Sequence, residues 1–267
     1  MAGIKTPAER RSKVKVAHIT PTPLIEAVLG PADDYHLCLT EMVLNDDAYR
    51  MRYHRRMLRG DFIMLDNGAF EHPGVEPSLK DLEQAAFFLT PAEIILPDVI
   101  GGTVDDNIKM AVSGAKHFRG KSKFVGTKMM AVPQGPTIKE FMRCVEEMAR
   151  IPGVTTIGIG YGATKHLKVP RPHIYNVAQT IAPQHAFHFL GCYPDMSDFE
   201  YPEVNHRVRG IDTCKFIRYG LACLPVTLEK IPEYPGRGDD YFQTDATDPD
   251  QLQMIQQNML YWRTHAR

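Results

Sequence analysis

Three aspartates stand directly after short apolar runs of the sequence, at Asp66, Asp98 and Asp212. A glutamine, Gln134, follows a fourth run, and its amide can both donate and accept hydrogen bonds. Depending on its surroundings, a carboxylate can accept N–H groups, exchange a proton or attack an electrophilic carbon. If these four side chains converge, they predict a pocket that binds a flat ligand with several polar edges and attacks one of its carbons.

Other residues at the ends of apolar runs suit the faces of such a ligand. Gly158 and Gly160 belong to a glycine-rich run, where the backbone can approach a ligand closely, and the pattern leaves open which of the two does so. No Gly-Lys-Ser/Thr follows them, so a phosphate loop is not indicated. Phe70 and Leu190 could cover the two faces of a ring. Because a carboxylate accepts two N–H groups from the edge of guanine, the set describes a purine nucleoside site.

Eight short apolar runs recur along the chain, and the segments between them carry apolar residues at helical spacing. The runs are Val14–Ile19, His36–Val43, Phe62–Leu65, Glu93–Leu96, Lys123–Val132, Thr155–Ile159, Ala186–Leu190 and Val208–Ile211. Ser78, Thr103 and Thr137 are placed as N-caps of three intervening helices. Strand then helix, eight times, predicts an α/β fold: a (β/α)8 TIM barrel with residues 1–267 as a single domain. An open doubly wound sheet is the alternative.

The composition excludes several classes of protein. Lys plus Arg is 31 and Asp plus Glu is 32, giving a net charge of −1, which fits neither a histone-like nor an acidic disordered chain. No apolar run approaches the ~20 residues that span a bilayer, so no membrane contact is expected. The five cysteines are scattered without a C-x-x-C pair, which predicts a reducing, cytoplasmic compartment and no metal site.

The end of the chain changes in composition. Residues 229–250 are acidic and contain prolines and glycines, which predicts an exposed loop. The segment 250–262 is then expected to form a last helix on the outside of the barrel.

Taken in order, these motifs resemble those of the tRNA-guanine transglycosylases, barrel enzymes that exchange guanine in a polynucleotide for a 7-deazaguanine. Residues 66–70, Asp-Asn-Gly-Ala-Phe, are similar to the family's D-S-G-G-F, and Gln134-Gly135 to its Q-G. Asp212, Arg218 and Gly220 match its D-x5-R-x-G. The matches extend from residue 66 to residue 220.

The resemblance implies a glycosyltransferase of the pentosyltransferase type. Asp212 would be the nucleophile that forms a covalent glycosyl-enzyme, and Asp66 the general acid and base. The residues implied to bind the base are Asp98, Gln134, Gly158, Gly160, Phe70 and Leu190. No cofactor is implied, because the free 7-deazaguanine base, such as preQ0, is a substrate.

The nucleic acid is expected to be DNA. The C-x-C-x-x-C zinc motif of the tRNA enzymes is absent from the sequence, and in this the chain resembles the short 7-deazaguanine DNA transglycosylases (DpdA) of phage and bacteria. In a phage protein the compartment would be the host cytoplasm, and tRNA is the alternative substrate. Basic residues expected to contact phosphates are Arg52, Arg55, Arg56, Lys121, Lys123 and Arg218. A second copy of the chain or a helper protein would be a further partner.

Two other functions compete with this interpretation. One is a TIM-barrel lyase or aldolase that uses Lys128 as a Schiff-base lysine beside Asp66 and Asp98. The other is a non-catalytic nucleic-acid-binding module. His188 lies within an apolar run, which is more typical of a core histidine than of a ligand.

Overall fold

The computed structural model describes residues 14–192, 198, 207–227 and 229–265. Eight parallel strands form one sheet with helices around it, a single-domain (β/α)8 barrel, as the alternation of the sequence predicts. The strands are β1 (Lys15–His18), β2 (Tyr35–Leu39), β3 (Phe62–Asp66), β4 (Glu93–Ile95), β5 (Lys128–Ala131), β6 (Val154–Gly160), β7 (Ala186–Leu190) and β8 (Val208–Thr213).

The hydrogen-bonded order of the strands is β1-β8-β7-β6-β5-β4-β3-β2. β1 and β2 therefore stand at the two ends of this order and meet at a seam. The side chains of Lys15 and Asp34 form an ion pair of 2.9 Å near the start of the seam. At its other end the Tyr241 hydroxyl donates to the carbonyl of Ile19. The barrel is thus nearly closed, with seven backbone ladders and one seam.

Ten α-helices lie among the described residues. They are α1 (Ile25–Val28), α2 (Thr40–Asn45), α3 (Asp47–Leu58), α4 (Leu79–Leu89), α5 (Val104–Arg119), α6 (Ile138–Ala149), α7 (Tyr161–Leu167), α8 (Arg171–Ile181), α9 (Lys215–Leu221) and α10 (Pro249–His265). Ser78, Thr103 and Thr137 cap α4, α5 and α6, each accepting a backbone N–H three residues on. No helix of the described chain is long and apolar enough to cross a membrane.

Two predicted strands are too long. The run His36–Val43 ends as a strand at Leu39, because Thr40 starts α2 and its hydroxyl donates to the carbonyl of Asp66. The run Lys123–Val132 becomes a strand only at Lys128, because a 3-10 turn at Ser122–Phe124 precedes it. An apolar run alone does not separate a strand from an adjacent helix or turn.

The C-terminal segment also differs from its prediction. The last helix runs over Pro249–His265 rather than 250–262. The preceding stretch 229–250 is not an exposed loop throughout, since Tyr241 and Phe242 are buried. The rings of these two residues pack into the protein, and the segment that carries them covers one end of the barrel.

Candidate active site

A cavity of about 680 Å³ opens at the carboxyl ends of the strands. This is the face at which enzymes of this architecture carry their active sites, because the strand-to-helix loops converge there. Seven of the predicted site residues line it: Asp66, Phe70, Asp98, Gln134, Gly160, Leu190 and Asp212. The structure therefore brings together residues that lie up to 146 positions apart (212 − 66) in the sequence.

Asp66 is the last residue of β3 and accepts the backbone N–H of Asn67 over 2.9 Å. Burial is the largest cause of a pKa for Asp66 well above its usual range. The negative charges of Glu71, Asp212 and Asp98 shift this pKa in the same direction. Burial and the neighbouring negative charges therefore favour the protonated form of Asp66, which is the form that can donate a proton.

Asp98 lies just beyond β4, is 3% exposed and is held by two amides. Asn67 Nδ2 donates to one carboxyl oxygen and Gln134 Nε2 to the other, each over 2.8 Å. Burial raises the pKa of Asp98 to about 6, although the two amide hydrogen bonds oppose the shift. Asp98 is therefore mostly ionised at neutral pH, and each of its oxygens keeps a lone pair for a ligand.

Asp212 is near the end of β8 and 4% exposed. The backbone N–H of Gly191 donates to both of its carboxyl oxygens over 3.1 Å, and His188 Nε2 lies 3.1 Å from Oδ1. Gly191 has a φ of +69°, a conformation that favours glycine. Arg171 fixes this turn because its guanidinium donates to the carbonyl of Gly191 over 2.8 Å.

The predicted ring-covering and glycine residues occupy different parts of the site. Phe70 is 64% exposed at the rim of the cavity, whereas Leu190 is half-buried in its wall. Of the two candidate glycines, Gly160 lines the cavity. A Cβ at Gly158 would lie 2.9 Å from Leu190 Cδ1 and 3.0 Å from Met130 Sδ, so this glycine serves packing within the barrel.

The segment 229–250 forms one side of the mouth. Arg237 pairs with Glu71 over 3.0 Å, and its guanidinium lies 5.5 Å from the centre of the Phe242 ring and 6.0 Å from that of Phe70. This ion pair and its aromatic neighbours join the C-terminal segment to the loop after β3. Part of the cavity wall is therefore made by a segment that the sequence indicated only as an acidic loop.

The basic residues predicted to contact phosphates do not line the cavity. Arg55, Arg56, Lys121 and Lys123 precede β3 or β5 and so lie towards the amino ends of the strands, the face opposite the cavity. Most of these basic side chains bind groups of the chain itself. Arg52 donates to the carbonyl of Thr22, Arg56 to that of Leu29, Arg218 to that of Gly236, Lys121 pairs with Glu83, and Lys123 lies over the Phe87 ring. DNA binding by these residues stays a prediction.

Lys128 does not reach the cavity either. It is the first residue of β5, is exposed, and its Nζ lies 5.8 Å from the centre of the Phe62 ring at the amino ends of the strands. The sequence placed it in mid-strand because the strand was predicted to begin at Lys123. Lys128 is therefore in the wrong place for a Schiff-base lysine of this site.

Sequence reasoning missed another lysine. Lys215 opens α9, lines the cavity and is 7% exposed, with Nζ 5.6 Å from the centre of the Tyr234 ring. It comes three residues after Asp212, so a search extended slightly beyond the end of β8 would have found it. Within the described residues, no group of three or more His, Cys, Asp or Glu side chains is arranged to hold a metal ion.

Comparison with known proteins gives the fold and no family. No protein-family model and no curated protein sequence matches the chain. Among solved structures, the YdjI aldolase from Escherichia coli K12 is similar at a TM-score of 0.59 and 9% identity, over 97% of this chain and 92% of that one. An HpcH/HpaI aldolase/citrate lyase family protein from Burkholderia cenocepacia J2315 matches at a TM-score of 0.49 and 14% identity, over 76% and 87%.

These neighbours correct the family predicted from the sequence. The barrel that matches nearly the whole chain at a TM-score of 0.59 is an aldolase rather than a tRNA-guanine transglycosylase. The assignment to that family is therefore wrong, and with it the pentosyltransferase activity on DNA or tRNA, the covalent glycosyl-Asp212 and the 7-deazaguanine substrate. The physical reason is that aspartates and glycines commonly follow barrel strands, so short motifs in barrel order arise from the fold itself.

Proposed function

We propose that this protein is a lyase of the aldolase type, which breaks or forms a carbon–carbon bond in a hydroxylated aldehyde or ketone. The observation that carries the proposal is a lysine amine and buried carboxyl groups with raised pKa values lining one cavity at the strand ends. The similarity of the fold to the YdjI aldolase over nearly the whole chain favours the same class. Buried acids with raised pKa values are also more typical of an enzyme than of a binding module.

Lys215 would supply the electron sink. Its amine attacks the substrate carbonyl, and loss of water from the carbinolamine gives an iminium ion. The iminium accepts the electron pair of the breaking carbon–carbon bond and becomes an enamine, while the fragment that carried the hydroxyl leaves as an aldehyde or ketone. Lys215 replaces Lys128 in this role because it lies in the cavity, whereas Lys128 lies at the other end of the barrel.

Two carboxyl groups would move protons in opposite directions. Asp212 would accept the proton of the substrate hydroxyl as the bond breaks, since its oxygens line the cavity and are fixed by Gly191 and His188. Asp66, whose pKa is raised by burial, would donate its proton to the carbon of the enamine. Hydrolysis of the resulting iminium would then free Lys215 for the next cycle.

The charge of the cavity indicates the class of substrate. Acidic residues lining it are Asp66, Glu71, Asp98, Asp212 and Asp239, against two basic residues, Lys215 and Arg237, of which Arg237 is paired with Glu71. An anionic substrate such as a sugar phosphate or a 2-oxo acid would be repelled by Asp98 and Asp212. Hydroxyl groups, in contrast, can donate to the free lone pairs of Asp98. The substrate is therefore expected to be an uncharged polyhydroxy carbonyl compound.

Reductive trapping tests this proposal. The protein is incubated with cyanoborohydride and either dihydroxyacetone or glyceraldehyde, with pyruvate and dihydroxyacetone phosphate as anionic comparisons, and its peptides are mapped by mass spectrometry. We expect one adduct on the peptide carrying Lys215 with the uncharged compounds, lost in Lys215→Arg and kept in the matched control Lys128→Arg. Adducts spread over exposed lysines and unchanged in Lys215→Arg would refute the proposal.

The proposal includes the cytoplasmic compartment predicted from the cysteine pattern. All five cysteines are free thiols, and Cys38, Cys144 and Cys192 are buried. This pattern is typical of a reducing environment.

A further inference from the structure

A chain of buried polar side chains runs from Asp212 in the cavity down the inside of the barrel. His188 of β7 lies between Asp212 and Tyr35, with Nε2 3.1 Å from Asp212 Oδ1 and Nδ1 2.8 Å from the Tyr35 hydroxyl. The Tyr35 hydroxyl accepts the Nε–H of Arg209 over 3.0 Å. Tyr35 and His188 are at most 3% exposed, so water does not compete for these bonds.

The lower end of this chain is anchored by Glu93. Arg209 donates to both carboxyl oxygens of Glu93, which also accepts the hydroxyl of Thr156 over 2.6 Å. The Arg209 guanidinium lies 4.8 Å from the centre of the Phe62 ring and 5.6 Å from that of Tyr35. Arg209 is thus held by an ion pair and two aromatic rings, and its Nε–H has a fixed direction.

The fixed direction of this N–H determines which atom carries the proton in each hydrogen bond between Arg209 and Asp212. Arg209 can only donate, so the Tyr35 oxygen accepts from it. Burial raises the pKa of Tyr35, so the phenol keeps its own proton and donates it to His188 Nδ1. Nδ1 must then be the unprotonated nitrogen of the imidazole, and the proton on Nε2 points to Asp212.

The charge of the imidazole agrees with this sequence of bonds. Burial lowers the pKa of His188, although the neighbouring Asp212 carboxylate opposes the shift, so the ring is neutral at neutral pH. A proton on Nδ1 would instead leave Tyr35 facing two donors, Arg209 and His188, and would deprive its own O–H of this acceptor. One tautomer therefore satisfies all three hydrogen bonds.

The backbone leaves space for this arrangement. A Cβ at Gly210 of β8 would lie 2.5 Å from Tyr35 Cε1 and 2.7 Å from the carbonyl oxygen of Lys15. Only a residue without a side chain allows Tyr35 to reach across the seam to β7 and β8. The Tyr35 ring also stacks on Phe62, with centres 5.4 Å apart.

We propose that Tyr35 and Arg209 are positioning residues, which hold His188 as the single tautomer with its proton on Nε2 and thereby orient the Asp212 carboxylate in the cavity. The role of Asp212 as a base rests on the proposed function, whereas the tautomer of His188 is a property of the free protein. The positioning residues act from the end of the barrel remote from the substrate.

Nitrogen NMR of the imidazole tests the tautomer directly. Protein labelled with 15N-histidine is examined by long-range 1H–15N correlation at neutral pH, and the His188 signals are assigned by their loss in His188→Gln. In the wild type we expect a protonated Nε2 and an unprotonated Nδ1. In Tyr35→Phe, which keeps the ring but removes the donor to Nδ1, we expect the second tautomer to appear.

Tyr175→Phe is the matched control. Tyr175 is buried outside the barrel wall, with its ring 5.1 Å from Phe187 and 6.1 Å from Phe189, the two neighbours of His188 in β7. Loss of its hydroxyl tests packing against the same strand while the inner chain of hydrogen bonds stays intact. A wild-type His188 protonated on Nδ1, or a Tyr35→Phe spectrum equal to that of Tyr175→Phe, would overturn the proposal.

Turnover gives a second, separable measurement. In aldol addition of dihydroxyacetone to glyceraldehyde, Tyr35→Phe is expected to lower kcat by about 10- to 100-fold with little change in KM, as for other groups that orient a catalytic side chain. Tyr175→Phe should keep the wild-type kcat. If the wild type lacks this activity, the proposed function fails, while the ring-nitrogen spectra still decide the tautomer.

Discussion

Two buried sets of acidic side chains lie on opposite sides of the strand wall. The cavity acids, inside, are Asp66, Asp98 and Asp212. The outer cluster, between the strands and the helices α3 and α10, contains Asp33, His36, Arg56, Asp61 and Arg263. Both sets contain buried aspartates, so the differences between these carboxyl groups come from their partners.

The carboxyl group of Asp61 in the outer cluster has two arginines and a histidine as partners. Asp61 binds His36 over 3.0 Å and Arg59 over 2.8 Å, and Arg56 lies 3.7 Å away. Burial alone would raise the pKa of Asp61, but the hydrogen bonds from Arg59 and His36 outweigh it and lower that pKa. The outer cluster is therefore charged, paired and structural.

The partners of the cavity acids are amides, backbone N–H groups, the imidazole of His188 and other acids. Without a strong cation nearby, burial prevails and raises the pKa of Asp66 and of Asp98. Such acids add little to stability but can exchange protons with a ligand. Counter-charge, more than burial, thus distinguishes a structural carboxylate from a reactive one in this barrel.

The largest effect is expected where a counter-charge is removed. Asp61→Ala leaves Arg56, which is 5% exposed, without its carboxylate partner and should lower the free energy of unfolding by about 3–5 kcal/mol. Urea denaturation measures the loss. Asp34→Ala breaks the half-exposed pair with Lys15 and should cost about 1 kcal/mol or less. Equal losses of unfolding free energy in the two variants would contradict the distinction between a buried and an exposed ion pair.

A smaller effect concerns pH and His18, which lies 4.0 Å from Asp33 of the outer cluster. Burial lowers the pKa of His18 from 6.5 to about 4, and Asp33 only partly opposes this. Between these values the unfolded chain binds more protons, so stability present above pH 6.5 is lost as the pH falls towards 4.

The change between pH 7 and pH 5 is expected to be about 2 kcal/mol from this histidine alone. Urea melts of the wild type and of His18→Asn at the two pH values measure it, and the variant should lose less stability on acidification. Parallel losses in the two proteins would show that His18 does not carry the effect.

The smallest effect is expected inside the cavity. Asp66→Asn keeps the shape of the side chain, and burial already favours the uncharged form of Asp66, so the free energy of unfolding at neutral pH should change by about 1 kcal/mol or less. The proposed proton donation to the enamine would be lost, and with it turnover. A destabilisation as large as that of Asp61→Ala would indicate that Asp66 is ionised and paired, and would remove it as the acid.

The sequence predicts the barrel well because strand and helix periodicity are local properties. Ser78, Thr103 and Thr137 show this, since each cap needs only a hydroxyl and the three residues that follow. The strand-end rule likewise brings Asp66 and Asp212 to one face without any knowledge of their contacts.

What the sequence could not predict depends on packing between distant strands. The link from His188 to Tyr35 joins residues 153 positions apart, and the sequence alone gave His188 only the features of a core residue. The sequence gives no reason to prefer Lys215 over Lys128 as the reactive lysine. Lys128 lies outside the cavity because β5 begins with it, whereas Lys215 lines the cavity because it begins α9 just after β8. The mistaken family followed from motifs that many barrels share.

The seam between β1 and β2 has one more consequence. The other seven contacts between strands are backbone ladders, whereas here an ion pair between the side chains of Lys15 and Asp34 joins the two edges. Breaking and re-forming a few side-chain contacts costs less free energy than breaking a backbone ladder. If the barrel widens to admit a bulkier compound, we therefore expect β1 and β2 to move apart. Tyr35 reaches across the seam, so its contacts would be the first to change.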